Sequence, residues 1–227
     1  MLPVGSMINA GAIIAGGLAG LIIGGKLPSN IRTIVFQGIG LAVLVIGLDM
    51  ALKFERPLIT IFSLIIGGII GESIHLDDFL NSLGDRLKKR LKSKNELFTD
   101  GFVSASLLFC VGSMAIVGAL DEGLRGDPTI LMTKSVLDGF VSVALASTYG
   151  VGVLFSAAAV FAYQYGISLF ASNFSEILSE TLVNELTALG GLLIIGIGLN
   201  LLDIKNIKIS NLLPSLLVLV VLVEIFL

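Results

Sequence analysis

A chain of 227 residues that is 55% hydrophobic and only 14% charged, with a mean hydropathy of +1.01, is excluded from the soluble globular class, whose charged fraction stands near a quarter. At about 20 residues per crossing of a hydrocarbon core roughly 30 Å thick, eight crossings take about 160 residues. That leaves about 67 for loops and ends, too few for a folded soluble domain beside them. The single cysteine, Cys110, rules out an internal disulfide, and the net charge of −3 says less than the sign of each loop.

The first apolar run, residues 7–25, lacks a basic leader and is expected to be a retained first span. A second run covers residues 34–52 and a third residues 58–74; Lys53, Glu55, Arg56 and Pro57 mark the turn between them, giving a tight helical hairpin. Residues 76–97 form the strongly polar stretch, with DRLKKRLKSK at its centre, and are expected to be a cytoplasmic basic loop. The fourth run, residues 98–120, ends in DEGLRGDP, whose acids, glycines and Pro128 stop a helix. From residue 129 to 171 the chain stays apolar for about 43 residues, roughly 64 Å as one helix and twice the bilayer core, so it must break. The glycines of STYGVG, residues 147–152, put that break near the middle. An acidic connector at residues 172–185, a seventh run at 186–202 and a last run at 212–227 complete an expected single all-α integral membrane domain of about eight spans.

Lysine and arginine are retained on the cytoplasmic side. With eight spans, Arg86, Lys88, Lys89, Arg90, Lys92 and Lys94 fall inside together with Lys26, Arg32, Lys205 and Lys208, and only Lys53, Arg56, Arg125 and Lys134 do not. Both ends are then expected outside. Treating residues 129–171 as one broken crossing moves Lys205 and Lys208 outside and weakens the bias.

DGFVS occurs twice, at residues 100–104 and 138–142, with Leu107 matching Leu145 and Gly112 matching Gly150. A weaker echo pairs GIGLAVLVIGLDMAL, residues 38–52, with LGGLLIIGIGLNLLD, residues 189–203, setting Asp49 opposite Asn200. Both pairs run in opposite directions across the membrane in the eight-span arrangement, as inverted-topology repeats of secondary transporters do. Shared Gly and Leu content for helix packing is the plainer explanation.

GSMINAGAIIAGGLAGLIIG near the start, LLFCVGSMAIVGAL at residues 107–120 and LDGFVSVALASTYGVGVLFSA at residues 137–157 resemble the bacterial inner-membrane family typified by YqgA and YdfK. The resemblance covers nearly the whole chain. It implies a polytopic bacterial inner-membrane protein and supplies no functional residues, since the family's function is unknown.

Backbone that leaves the helix inside a membrane must find partners in protein, water or ligand. Two breaks, CVGSM at residues 110–114 and STYGVG at residues 147–152, are in register in the repeat, so Cys110, Gly112, Ser113, Ser147, Thr148, Gly150 and Gly152 are candidate ligand or ion contacts. The alternative is close helix packing with hydroxyls bonded back to their own turn. Asp138 is the acid deepest in an apolar run and the preferred functional carboxylate; Lys134, one helical turn earlier, offers a structural ion pair instead. Asp100 begins its span and can serve as a capping acid, Asn9 and Gln164 suit bonds between helices, and His75 suits a span end. The basic run could meet anionic headgroups or merely set topology.

The chain has no Walker loop, HExxH, GxSxG or CxxC, so no enzymatic activity, metal or cofactor is expected. Gly16, Gly17 and Gly20 form a packing face through which a homo-oligomer could assemble. The expected function is a secondary transporter or ion-coupled carrier of a small polar solute or monovalent cation, embedded in lipid and without nucleic-acid partners. A channel-like pore and a non-transporting scaffold are the rivals.

Overall fold

The computed structural model describes residues 3–24, 28–171 and 179–226. Lys26, the side chains of Arg32 and Ser113, and residues 172–178 of the acidic connector lie outside the described residues. Among those described there is no strand, and the helices are α1 (Val4–Gly24), α2 (Ser29–Ala51), α3 (Pro57–Ser73), α4 (Leu76–Arg90), α5 (Phe98–Cys110), α6 (Ser113–Arg125), α7 (Thr129–Tyr149), α8 (Gly152–Leu169), α9 (Glu180–Leu201), the single turn α10 (Ile209–Leu212) and α11 (Pro214–Phe226). Among the described residues five membrane-length apolar helices are present, α1, α7, α8, α9 and the α10–α11 pair, and up to seven if each of two bent pairs, α3 with α4 and α5 with α6, counts as one span. The apolar part of α2, Gln37–Ala51, is shorter.

Both expected breaks are present. Gly112, at φ 130, separates α5 from α6, and Gly150, at φ 80, caps the end of α7 ahead of α8. Only glycine adopts such backbone at little cost. The segment expected as a basic loop is instead mostly α4, a 15-residue helix whose first turn carries Asp77 and Asp78 and whose last turn carries Lys88, Lys89 and Arg90. That order of charge complements the helix dipole at both ends, a signal that bulk polarity hides. The seventh run likewise starts earlier than expected, at Glu180, because the Ser179 hydroxyl accepts the Leu182 amide as an N-cap.

The chain divides into two compact units, Met1–Phe36 with Leu83–Cys110 and Met114–Ile177, and Gln37–Ser82 with Val111–Ser113 and Leu178–Leu227. In the first unit α1 lies parallel to α7. Gly16 meets Gly139, Gly20 meets Val143 and Gly24 meets Ser147, each so close that a Cβ would strike α7 backbone. Gly17 faces Leu154 of α8. The glycine face offered by the sequence for self-association is thus spent inside this unit, because backbone-to-backbone packing is what small residues permit in lipid. α5 runs antiparallel to α7, with Gly101 against Tyr149 at one end and the Phe109 ring 5.9 Å from Lys134 Nζ at the other.

In the second unit α2 and α9 are antiparallel, with Gly40 against Leu202, Leu44 against Gly198, Gly47 against Ile195 and Ala51 against Gly191. α3 packs antiparallel to α10 and α11 through Gly71 on Asn211 and Gly67 on Ser215. Outward surfaces of both units are apolar. α3 exposes Leu58, Ile61, Phe62, Ile65, Ile66 and Ile69, while α7 exposes Val136, Leu137 and Phe140 and buries Lys134, Ser135, Asp138 and Ser142. Apolar side chains outward and ionic ones inward is the pattern of a protein whose solvent is lipid.

Candidate functional site

Asp138 sits mid-way along α7 with Lys134 one turn before it, and the two side chains form a buried ion pair. α1 brings Asn9 to them: its Nδ2 donates to Asp138 Oδ2 at 3.0 Å and to Gln164 Oε1 of α8 at 3.3 Å. Asn9 and Gln164 are both 0% exposed. The close parallel seating of α1 on α7 makes this possible, since the glycines about two to four turns along from Asn9 let the backbones approach. Two atoms of the cluster, Asn9 Oδ1 and Gln164 Nε2, are buried without a partner, as is Ser142 Oγ one turn beyond Asp138. A buried amide oxygen and amide nitrogen left unpaired cost about 1–3 kcal/mol each. The cluster therefore joins a cation, an anion, a spare acceptor and a spare donor within one unit, which suits binding a small polar group or relaying a proton more than it suits stability.

The other sequence candidates divide into groups. Cys110, half-buried, ends α5 beside Phe109, on the Lys134 side of the unit. Ser147 and Thr148 lie about 13 Å along α7 from Asp138 by helix rise. The Ser147 hydroxyl donates to Ala144 O at 2.7 Å and the Thr148 hydroxyl to the same oxygen at 3.3 Å. At Gly150 the break is closed by protein: Asn95 Nδ2 donates to Tyr149 O at 2.9 Å, and Gly152 lies against the Phe98 backbone. Gly112 belongs to the second unit, where Met50 Cε is its near neighbour. The two breaks thus fall in different units, and the carbonyl freed at Tyr149 is already bonded. The two DGFVS acids also differ, since Asp100 is exposed in the first turn of α5 whereas Asp138 is buried.

Two further carboxylates escaped the sequence analysis. Glu122, at the end of α6, accepts the backbone N–H groups of Gly5 and Ser6 and the Ser6 hydroxyl, the last at 2.9 Å. Glu185, 0% exposed in α9, accepts the N–H groups of Glu55, at 2.7 Å, and Arg56, and the Thr60 hydroxyl. Each satisfies amides at the start of a helix, where four N–H groups lack intrahelical partners and the dipole favours negative charge. The available signal was a shared pattern: Pro3, just ahead of α1, and Ser6, Asn9 and Gly17 within it answer to Pro57, Thr60, Ser63 and Gly71 of α3 at one constant offset. Near the span ends, Asp49 is an exposed partner of Lys53, Asn200 closes the turn to Ile207, and His75 lies 3.6 Å from Asp78 in the open. Among the described residues no group of three or more His, Cys, Asp or Glu side chains could hold a metal ion.

The model of the family "Protein of unknown function (DUF554)" matches residues 4–224. The chain is 38% identical to "Uncharacterized membrane protein YdfK" of Bacillus subtilis over 218 residues, covering 94% of this chain and 93% of that one. It is 30% identical to "Uncharacterized protein YqgA" of Escherichia coli over 221 residues, covering 95% and 94%. No solved structure matches it. Apolar helices in number, ionic groups turned inward and full-length similarity to these proteins agree that this multi-pass membrane protein belongs to the DUF554 family.

Proposed function

We propose that the protein is a secondary transporter or ion-coupled carrier of a small polar solute or ion in the bacterial inner membrane, with Asp138 as its central carboxylate. The observation that carries this is the Asn9–Asp138–Lys134–Gln164 cluster, an ionic and amide network at mid-helix with two unpartnered polar atoms. Such groups are rare in helices bathed in lipid and mark ion or substrate paths when they occur. The candidate contacts of the Ser147–Thr148 turn are secondary in this reading, because their hydroxyls are spent on their own helix.

Eight spans with both ends outside are part of the proposal. Helix directions support it: the parallel pair α1–α7 and the antiparallel pairs α5–α7, α2–α9 and α3–α11 have the senses that eight alternating crossings require. Contacts at helix ends agree. Glu122 with Gly5 and Glu185 with Arg56 join ends assigned to the outer face, and Asn95 with Tyr149 and Lys208 with Glu72 join ends assigned to the inner face. One broken crossing at residues 129–171 would put Glu185 and Arg56 on opposite faces. The antiparallel packing of both echo pairs, α5 with α7 and α2 with α9, supports inverted repeats in the same way. A homo-oligomer would use a surface other than the α1 glycine face.

The test is uptake into proteoliposomes across a panel of small polar solutes, with an internal pH dye to report proton movement. Saturable uptake showing counterflow, lost in Asp138→Asn with the protein still folded, is expected of a carrier; non-saturable flux would make it a pore. A non-transporting scaffold is the second reading, favoured by the break at Gly150 being sealed by Asn95. Absence of flux for every solute and for protons would decide for it.

A further inference from the structure

α4 carries apolar side chains on two faces, one toward the protein and one away from it. Toward the protein it turns Leu76, Leu80, buried Gly84 and Leu87, with Gly84 against Thr99, and polar contacts flank that stripe: the Asp77 amide donates to Asn211 Oδ1, the exposed Asp85 carboxylate accepts the Thr99 hydroxyl, and Lys88 donates to Glu96 O at 3.2 Å. The outward stripe, at helical spacing, is Phe79, Leu83, Arg86 and Arg90. Phe79 is 60% and Leu83 46% exposed, and both arginines are exposed. The helix also bends away from the spanning helix α3 by 59°. A helix already seated through Leu76, Leu80 and Leu87 that turns Phe79 and Leu83 away from the protein offers a second apolar face to an apolar solvent on that side, and one that bends off a span lies toward the plane of the interface. The arginines continue the same face, where a planar guanidinium can hold a phosphate oxygen pair.

We propose that the outward face of α4 is an interfacial membrane-binding surface that selects anionic phospholipids, with Phe79 and Leu83 in the acyl boundary and Arg86 and Arg90 on the headgroup phosphates. Charge complementarity decides the occupant. The exposed basic run includes Lys89 in the last turn and continues past the helix through Lys92 and Lys94, and the membrane leaflet that retains such runs carries the anionic lipids. The inference stands whether or not the protein transports anything.

The chain contains no tryptophan, so Phe79→Trp places a unique indole on this face. The full-length variant is reconstituted in phosphatidylcholine vesicles containing phosphatidylglycerol, with bromine on the acyl chains of either lipid at equal mole fraction. Brominated phosphatidylglycerol should quench the indole more strongly than brominated phosphatidylcholine, and Arg86→Gln with Arg90→Gln should reduce that preference by roughly tenfold. Leu83→Trp supplies a second reporter should the first variant fold poorly. Equal quenching by the two lipids would overturn headgroup selection and leave the basic run as a topology signal. Quenching by aqueous iodide and by neither brominated lipid would overturn the interfacial placement and point to a soluble partner.

Discussion

The two units open a helix in the same way and then treat its middle differently. In the first, Glu122 gathers the amides at the start of α1, and Asn9, one turn past Ser6, enters an ionic cluster. In the second, Glu185 gathers the amides ahead of α3, and Ser63, one turn past Thr60, is buried with its hydroxyl unpartnered and no ionic group bonded to it. Anchoring carboxylates are therefore common to both and belong to assembly. The Lys134–Asp138 pair belongs to one alone, so the difference locates what the fold does not require. A buried pair is weak evidence for stability, since a well-packed apolar replacement is often as stable, and its presence in only one of two similarly anchored units is the stronger pointer to function.

The largest expected effect separates these roles. Asp138→Asn and Lys134→Met each leave one buried charge unmatched, and each should cost about 3–5 kcal/mol, read as a fall in the melting temperature of the detergent-solubilised protein. Combining them removes both charges and should recover most of that loss. In the carrier reading the double variant folds but moves nothing in proteoliposomes. Transport at the wild-type level by a stable double variant would reduce the pair to a structural one and leave the first unit without a site.

Next come the anchors. Glu185→Ala strands two amides and the Thr60 hydroxyl, and Glu122→Ala strands those of Gly5 and Ser6. At about 1–3 kcal/mol for each buried group left unpaired, both variants should melt well below wild type, by similar amounts. In the carrier reading, protein of either kind that remains folded at low temperature should keep its transport. A loss of stability at Glu122 but none at Glu185 would break the correspondence between the units.

A smaller effect tests the glycines. A Cβ at Gly16 would run into the Gly139 carbonyl and one at Gly71 into the Asn211 carbonyl, whereas one at Gly11 meets nothing within 4 Å. Gly16→Ala and Gly71→Ala should each destabilise by about 1–3 kcal/mol, and Gly11→Ala should stabilise by up to about 1 kcal/mol through helix propensity. Equal tolerance at all three positions would mean that neither unit depends on close backbone contact.

Much of this was legible in the sequence, for identifiable reasons. Each expected apolar run becomes a helix or a bent pair, and both breaks lie at the glycines that mark them, because run length and positive-φ backbone are local properties. Asn9 and Gln164 bond between helices as isolated polar residues in apolar runs should. What stayed hidden was set by distant partners. Asn95 looked like part of a polar loop, yet it seals the Tyr149 carbonyl; Glu122 and Glu185 looked like loop acids, yet they anchor helix starts far away in the chain. Gly16, Gly17 and Gly20 announced a packing face but not which helix would occupy it, and α7 and α8 were as apolar as any partner protein. For α4, net polarity concealed order: acids at the start, bases at the end and an apolar stripe outward.

The smallest effect concerns one exposed contact in each unit: the first should fail in acid alone, the second at both ends of the pH scale. In the first unit Asp127 Oδ1 accepts the Thr129 amide at 2.9 Å and its hydroxyl, an Asx turn leading into α7, and these bonds hold the carboxyl below the usual range. A carboxyl whose folded value is depressed stabilises above its unfolded value, near 3.9, and loses that contribution as pH falls through the folded value. In the second unit Lys208 Nζ reaches Glu72 Oε1 at 2.9 Å, and the hydrogen bond to that carboxylate raises the ammonium above its ordinary value. The ammonium's contribution is complete below its unfolded value, near 10.4, and is lost as pH rises through the folded one; the same bond lowers the Glu72 carboxyl, so the contact is also lost as pH falls through the folded value of that carboxyl. Melting temperature against pH should therefore be flat between the two limits. Asp127→Asn keeps an Asx acceptor and should soften only the acid limb, whereas Lys208→Met should soften the alkaline limb and also the part of the acid limb that comes from Glu72. Solvent screening keeps both changes to a degree or so. An acid limb untouched by Asp127→Asn would show that the turn into α7 holds without its charge, and that the first unit's response to acid comes from elsewhere.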